Sequence, residues 1–348
     1  MILTDPINKL GYHVLDPTFN EIVDTSANID ILASGFSWAE GPLWVPRINS
    51  LLFSDVAENT IYRWGPKLAA TSAEMAQMPQ PITVVSGLGN IVGAEPFLYP
   101  SGYLAEPETK GEPGSNGLKL DALGRLFIAQ HGERRIAMWN GNVEENLANA
   151  KPDYTEIVST YKGKKLNSPN DLVFAANGDL YFTDPTYGVD KTFGKSAREL
   201  DITGVYRVKS GSSEATLMFS GFKRPNGIDI TPDGKYLIVS NSGKKRALWM
   251  KFDISDTPNS LEDRGELFAD VSGLISEDNP GICDGLVIHP NGSLIATGPG
   301  GVLVLNASGK HLGTIRTGRE AGNVTLGGSD GNDIFIASDN FVLRARLS

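Results

Sequence analysis

One phrase recurs six times along the chain. A short strand opens with Glu, Asn or Asp and a Gly, Asn or Asp turn follows: AEGPLWVP from Ala39, SNGLKLD from Ser115, PNDLVFA from Pro169, PNGIDIT from Pro225, CDGLVIH from Cys283 and GNVTLGG from Gly322. A second run answers each one: LLFSD at Leu51, RLFIAQ at Arg125, DLYFTD at Asp179, YLIVSN at Tyr236, SLIATG at Ser293 and DIFIAS at Asp333. Self-similarity at this period is the mark of a repeat architecture, and units of several short strands make propeller blades. The sequence therefore predicts an all-β chain: a six-bladed β-propeller of four-stranded antiparallel blades, with residues 1–348 forming one domain.

Third strands follow as TIYRW at Thr60, RIAMW at Arg135, GVYRV at Gly204, ALWMKFD at Ala247, GVLVL at Gly301 and FVLRARL at Phe341. Fourth strands are expected at PITVVSG (Pro81), YTEIVST (Tyr154), ATLMFSG (Ala215), GELFADV (Gly265) and GTIRTG (Gly313), all β-branched or aromatic runs bounded by Gly, Asn or Pro. The sixth repeat runs out of chain before its fourth strand. The N-terminal stretch NIDILASGF, about residues 28–36, is expected to supply it and close the ring, leaving no open blade edge. The first and second phrases lie 76 residues apart (Glu40 to Asn116), so residues of about 65–114 hold an insertion. Its Gly- and Pro-rich second half must run over the surface near the channel mouth, as a candidate lid or substrate wall.

Repeat symmetry sends Glu40, Asn116, Asn170, Asn226, Asp284 and Asn323 to equivalent places at the mouth of the central channel. Glu40, Asn170, Asn226 and Asp284 together present two carboxylates and two amide oxygens, hard ligands that suit one divalent cation. Ca²⁺ is favoured by ligand type, with Zn²⁺, Mn²⁺ and Mg²⁺ as alternatives. Without a cation the two acids would repel, and one would hold a proton. A bound dication polarises a carbonyl and acidifies water, which is enough for ester chemistry. Asp284 is then a candidate catalytic base. His131, in the turn AQHGERR, is a rival base because a free imidazole titrates near ~6.5. Arg134 and Arg135 beside it are expected on the surface, or against substrate hydroxyls.

Other chemistries are set aside. A net charge of −10 argues against nucleic-acid partners, and no apolar run approaches a membrane span. The segment ITVVSGLGNIVG imitates a dinucleotide turn but is followed by Pro96 and Pro100 rather than a helix, and GVDKTFGKS has P-loop residues at the wrong spacing. The one cysteine, Cys283, excludes an internal disulfide and is expected to be a small buried residue. The acidic, weakly apolar N-terminus MILTDPINKL is not a signal peptide, so a cytoplasmic protein is expected, or a periplasmic or secreted one if a leader was trimmed.

These phrases, above all KLNSPNDLVFAANGDLYFTDPTYG with AEGPLW, RPNGIDITPDGKYLIVSNS and CDGL, resemble the gluconolactonase family, which includes senescence marker protein and luciferin-regenerating enzyme. The resemblance spans residues of about 28–348. It implies a cation in the channel, held by Glu40, Asn170, Asn226 and Asp284, and hydrolysis of a sugar lactone to the aldonic acid, with Asp284 as base. Asn116, His131 and Tyr187 are similar to substrate-pocket positions of the microbial branch. Position 168 is Ser where the animal branch tends to carry Arg, so sugar recognition does not transfer from that branch. The resulting expectation is a metal-dependent lactonase acting on a small-molecule lactone such as glucono-1,5-lactone. The rivals are a paraoxonase-like arylesterase or phosphotriesterase, for which Phe97, Tyr99 and Tyr103 offer apolar walls, a metal-free synthase on the same fold, and a non-catalytic binding propeller.

Overall fold

The computed structural model describes residues 10–65, 91–105, 111–146, 148–243 and 245–348. Six antiparallel sheets form the blades. Blade one holds Ala39–Val45, Ser50–Asp55, Thr60–Trp64 and Glu95–Leu98. Blade two holds Ser115–Leu120, Leu126–Gln130, Arg135–Trp139 and Tyr154–Val158. Blade three runs Leu172–Phe174, Leu180–Asp184, Gly204–Val208 and Ala215–Phe219, and blade four Pro225–Ile230, Tyr236–Gly243, Arg246–Asp253 and Gly265–Asp270. Blade five contains Leu286–Ile288, Leu294–Gly298, Gly301–Leu305 and His311–Arg316, and blade six Ala321–Gly327, Asp333–Ser338 and Phe341–Arg346. The first strands pack neighbour to neighbour around the ring, and that of blade six packs on that of blade one.

Closure follows the expected scheme. Asp30–Ser34 is the outermost strand of blade six, with Asp30 opposite Arg344 and Ser34 opposite Phe341. Arg344 adds an ion pair to Asp30 at 2.6 Å. Apolar side chains fill the seams between blades. Trp44 of blade one stacks on Phe335 of blade six with ring centroids 5.2 Å apart, and Phe36 meets Phe53 edge-on at 4.9 Å. Each such fully buried ring or aliphatic chain is worth about 1.5–3 kcal/mol against exposure.

Two features depart from the expected layout. The fourth strand of blade one is Glu95–Leu98, paired to Ile61, Tyr62 and Arg63; the segment expected there, from Pro81, lies outside the described residues. Pro96 is tolerated because this is an edge strand, where a missing N–H leaves no ladder bond unmade. Its carbonyl instead accepts from Asn149 N–H at 3.2 Å. Further, Gly11–Val14 adds a fifth strand to blade five, with His13 opposite Thr314. The 3₁₀ turn Pro17–Glu21 then drives Phe19 into the core with Ile315 and Leu347. No helix among the described residues is long and apolar enough to cross a membrane.

Candidate active site

In blades one, two, four and six a residue at or near the end of the second strand sets the register of the ring. Asp55 lies opposite Ala39, Gln130 opposite Ser115 and Asn241 opposite Pro225, so the next residue (Glu40, Asn116, Asn226) is the one turned into the channel. In blade six Ser338 lies opposite Ala321, which makes Gly322 the equivalent position. Asn323 is therefore one step out of phase, and a one-residue slip reverses the face of a strand residue. Its side chain lies against Gly285 and hydrogen-bonds Glu40 from behind, at the far end of the channel. The expectation that Asn323 joins the ring is corrected on this ground. Gly322 has a use of its own: a Cβ there would come within 2.5 Å of Glu40 Oε1.

In blades one, three, four and five the hydroxyl residue just before Asp55, Asp184, Asn241 or Gly298 fastens the blade to the next. Ser54 donates to the Asn116 carbonyl at 2.8 Å, Thr183 to that of Asn226 at 2.7 Å, and Ser240 to that of Asp284 at 2.7 Å. Thr297 does the same for Gly322 at 3.2 Å. In blade two Ala129 stands at this position, and Gly117 N–H supplies the contact to Asn170 O at 2.7 Å. The strand-terminal acids and amides hold the loops that lead into the ring. Asp55 accepts from Ser37 and Trp38 N–H, Asp184 from Asn167 and Ser168 N–H, and Asn241 from Arg224 N–H. These N–H bonds tie the buried acids to the loops, and burial still raises both carboxyls to about 7, so Asp55 and Asp184 belong to the scaffold.

Five ring residues, Glu40, Asn116, Asn170, Asn226 and Asp284, line a cleft of ≈ 830 Å³. His131 and Tyr187 line it too. Glu40 accepts from Gly41 N–H at 3.0 Å and is also bonded by the Asn323 and Trp38 side chains. The Asn226 amide bonds Asp284. Burial, opposed by few donors, holds the Glu40 carboxyl above the ordinary carboxylate range, and Asp171 nearby pushes the same way. Asp284 is raised further by burial and then by the charges of Glu40 and Asp171. Asp284 Oδ1, Asn116 Oδ1, the Tyr187 hydroxyl and both ring nitrogens of His131 are buried without a partner of good geometry. Buried polar atoms are ordinarily paired, so a cluster of unpaired ones facing one cleft marks ligand positions.

His131 is not poised to titrate near neutrality. The helix Tyr187–Thr192 covers it, with Gly188 pressed so close that a Cβ would lie 2.5 Å from the His131 Cβ. Burial first, and then the charge of Lys191, push its imidazole down to about 3. Its neutral ring offers one donor and one acceptor to a ligand, and the rival-base expectation falls. Arg134 is a clamp, donating to Leu166 O at 2.7 Å and Ala197 O at 2.9 Å, and Arg135 donates to Gln130. Neither lines the cleft. Of the insertion, Gly111 and Glu112 contribute to the cleft wall, where Glu112 forms an ion pair with Lys191. Phe97 is buried in the blade core, Tyr99 is exposed and Tyr103 packs edge-on against Phe193. None of the three faces the cleft.

Sequence reasoning missed Asp171 and Arg224. Asp171 takes the place that Gly41, Gly117, Gly227 and Gly285 hold in other blades, and burial first raises its carboxyl to about 6. The departure from Gly in PNDLVFA was its signal. Arg224 lines the cleft with its guanidinium 5.5 Å from the Tyr187 ring centroid. The R of RPNGIDIT stood in plain view, but only the fold turns it toward the site. No group of three or more His, Cys, Asp or Glu side chains gathers as for a metal among the described residues. The candidate donor set is mixed: Glu40, Asp284 and the amides of Asn170 and Asn226. Two close carboxylates with an orphaned Oδ1 and only oxygen donors fit a hard dication by charge and by chemistry.

The family model described as SMP-30/Gluconolactonase/LRE-like region matches residues 38–340. The gluconolactonase of Zymomonas mobilis is 34% identical over 289 residues, covering 82% of this chain and 71% of that protein. Among solved structures, a gluconolactonase of Xanthomonas campestris superposes with a TM-score of 0.75 at 24% identity, covering 97% of this chain and 95% of that one. Regucalcin of Agrobacterium tumefaciens, a calcium-binding protein, gives a TM-score of 0.60 at 15% identity over 97% of this chain and 95% of that one. The chain thus belongs to the SMP-30/gluconolactonase/LRE-like family.

Proposed function

We propose that the cleft hydrolyses a sugar lactone, such as glucono-1,5-lactone, to the aldonic acid, with one divalent cation held by Glu40, Asn170, Asn226 and Asp284. The observation that carries this reading is the convergence of unpaired buried polar atoms on Asp284, Asn116, His131 and Tyr187 in a single cleft. Similarity to the Zymomonas gluconolactonase supports the reaction class. When bound, the cation would balance the two carboxylates and polarise the lactone carbonyl. Asp284 takes a proton from the attacking water, and the oxygen adds to the carbonyl carbon. The ring C–O bond then breaks, and its alkoxide is protonated to give the free hydroxyl of the acid. Asn116, neutral His131 and Tyr187 bind ring hydroxyls, each pairing an atom that is otherwise buried and unsatisfied, which is where selectivity against a substrate lacking those hydroxyls arises. Gly111 and Glu112 wall the cleft against water. A hydroxylated substrate suits these polar walls, and the absence of Phe97, Tyr99 and Tyr103 from them weakens the aryl-ester alternative.

The test is acid release from glucono-1,5-lactone by chelator-stripped protein, followed with a pH indicator before and after adding Ca²⁺, Zn²⁺, Mn²⁺ or Mg²⁺. Turnover above the spontaneous rate that depends on an added cation supports the reading and ranks the cations. No turnover with any cation, on this lactone and then on an aryl ester, favours a binding propeller.

A further inference from the structure

Building on the lactonase reading, we infer that Arg224 makes this cleft selective for sugar lactones that carry a carboxylate at the carbon remote from the lactone carbonyl, the lactones of aldaric acids.

The charges lining the cleft are accounted for one by one. Glu40 and Asp284 belong to the candidate cation set. Glu112 is paired with Lys191, and Asp190 with Arg198. Two charges are left, Arg224 leading into blade four and Glu320 leading into blade six, and neither has an ion-pair partner among the described residues. That is unusual in this acidic chain, where Arg47, Arg63, Arg125, Arg264, Arg344 and Arg346 all reach a carboxylate.

The backbone of Arg224 is fixed, and its side chain is exposed to the cleft. Its N–H donates to Asn241 Oδ1 at 3.2 Å, and its carbonyl accepts from Ser242 N–H at 3.0 Å. Its guanidinium lies over the Tyr187 ring, 5.5 Å from the centroid. Stacking occupies a face of the guanidinium and leaves its edge donors free, the arrangement in which Arg binds a carboxylate through two parallel hydrogen bonds. Tyr187 itself lines the cleft, so an anion held by Arg224 sits beside the proposed hydroxyl subsite. A neutral aldonolactone offers only a primary alcohol at that carbon, which would leave the guanidinium without its charge partner. Glu320, at the entry to blade six, suits ring hydroxyls as donors and disfavours a second anion there.

The experiment compares D-galactaro-1,4-lactone with D-galactono-1,4-lactone, which share ring and stereochemistry and differ only in carboxylate against CH₂OH. In wild type with the activating cation, kcat/KM is expected to favour the galactaro-lactone. Arg224→Met lowers the ratio of the two values by roughly 10- to 100-fold, the size of one charge-assisted contact. Arg224→Lys, which keeps the charge without the fork, gives an intermediate ratio. A wild-type preference for the neutral lactone, or one ratio shared by wild type and Arg224→Met, overturns the inference. Calorimetric titration with galactarate and galactonate separates it from the lactonase reading. Galactarate binding that is lost in Arg224→Met, with no turnover of either lactone, sinks the lactonase reading and keeps the anion subsite; binding of both anions unchanged in Arg224→Met sinks the subsite.

Discussion

Replacing Thr183 by Val tests the idea that hydroxyls seat the ring residues. Thr183 is fully buried, donates to the Asn226 carbonyl at 2.7 Å and accepts from Asp171 N–H at 3.2 Å. Valine has nearly the same shape, so no cavity opens, and the cost comes from stranding a carbonyl and an N–H away from water. At about 1–3 kcal/mol per stranded group, with partial relaxation, the variant loses about 2–4 kcal/mol. Unfolding entropy of about 2.1 cal/mol/K per residue makes roughly 0.7 kcal/mol equal to one degree for a chain of 348 residues. Calorimetry should therefore show Tm lower by about 3–5 °C, and urea unfolding should show a lower midpoint with an unchanged m-value. Because the carbonyl belongs to a proposed cation ligand, the variant should also need more cation to reach half-maximal turnover. A Tm within a degree of wild type together with an unchanged cation requirement would refute the seating role.

Glu40→Gln and Asp284→Asn should abolish lactone turnover without unfolding the ring; full activity in either variant would remove it from the site. In chelated wild type both folded-state carboxyl pKa values lie above their unfolded values, so the stability they contribute is present at pH below the ordinary carboxylate range and is lost as pH rises through the folded values. Tm of chelated protein should fall from about pH 5 to 8, less steeply in Glu40→Gln, with added Ca²⁺ restoring most at the alkaline end; matching slopes in wild type and variant would count against this. Removing residues 1–36 takes away the closing strand and should give aggregation or unfolding, and a monomeric product of unchanged Tm would contradict the closure. His131→Asn should raise KM while leaving the pH profile without any lost limb near ~6.5, since burial keeps His131 neutral there; loss of such a limb would restore it as a base.

Most of the architecture could be read from the sequence because each blade is local. Period-two alternation bounded by Gly, Asn and Pro marked the strands of blades two to five, and the closing strand was visible as an unpaired apolar run. What escaped reading depends on contacts distant in sequence. Glu95–Leu98 looks like a loop because it is short and contains Pro96, and only its edge position makes it a strand. In blade six, AGNV offers two registers that differ by one residue. The pairing of Ser338 with Ala321 decides between them. His131 reads as an accessible turn histidine until the helix at Tyr187 is folded over it. Arg224 faces the cleft without an ion-pair partner among the described residues, a property invisible in one dimension.

The strand pairing that joins Asp30–Ser34 to Phe341–Arg346 has a consequence for biosynthesis. A ribosome delivers the first of these segments some three hundred residues ahead of the second, so for most of translation its backbone donors and acceptors have no lawful partner. Blades two to five can assemble as they emerge, but the ring cannot lock until residues 341–346 have left the exit tunnel. An interrupted message therefore yields a chain with an open sheet edge at each end and a channel whose acidic wall from blade one is not yet held opposite that from blade five. Such chains are prone to pair with one another, so synthesis of residues 341–346 gates the closure of everything made before them.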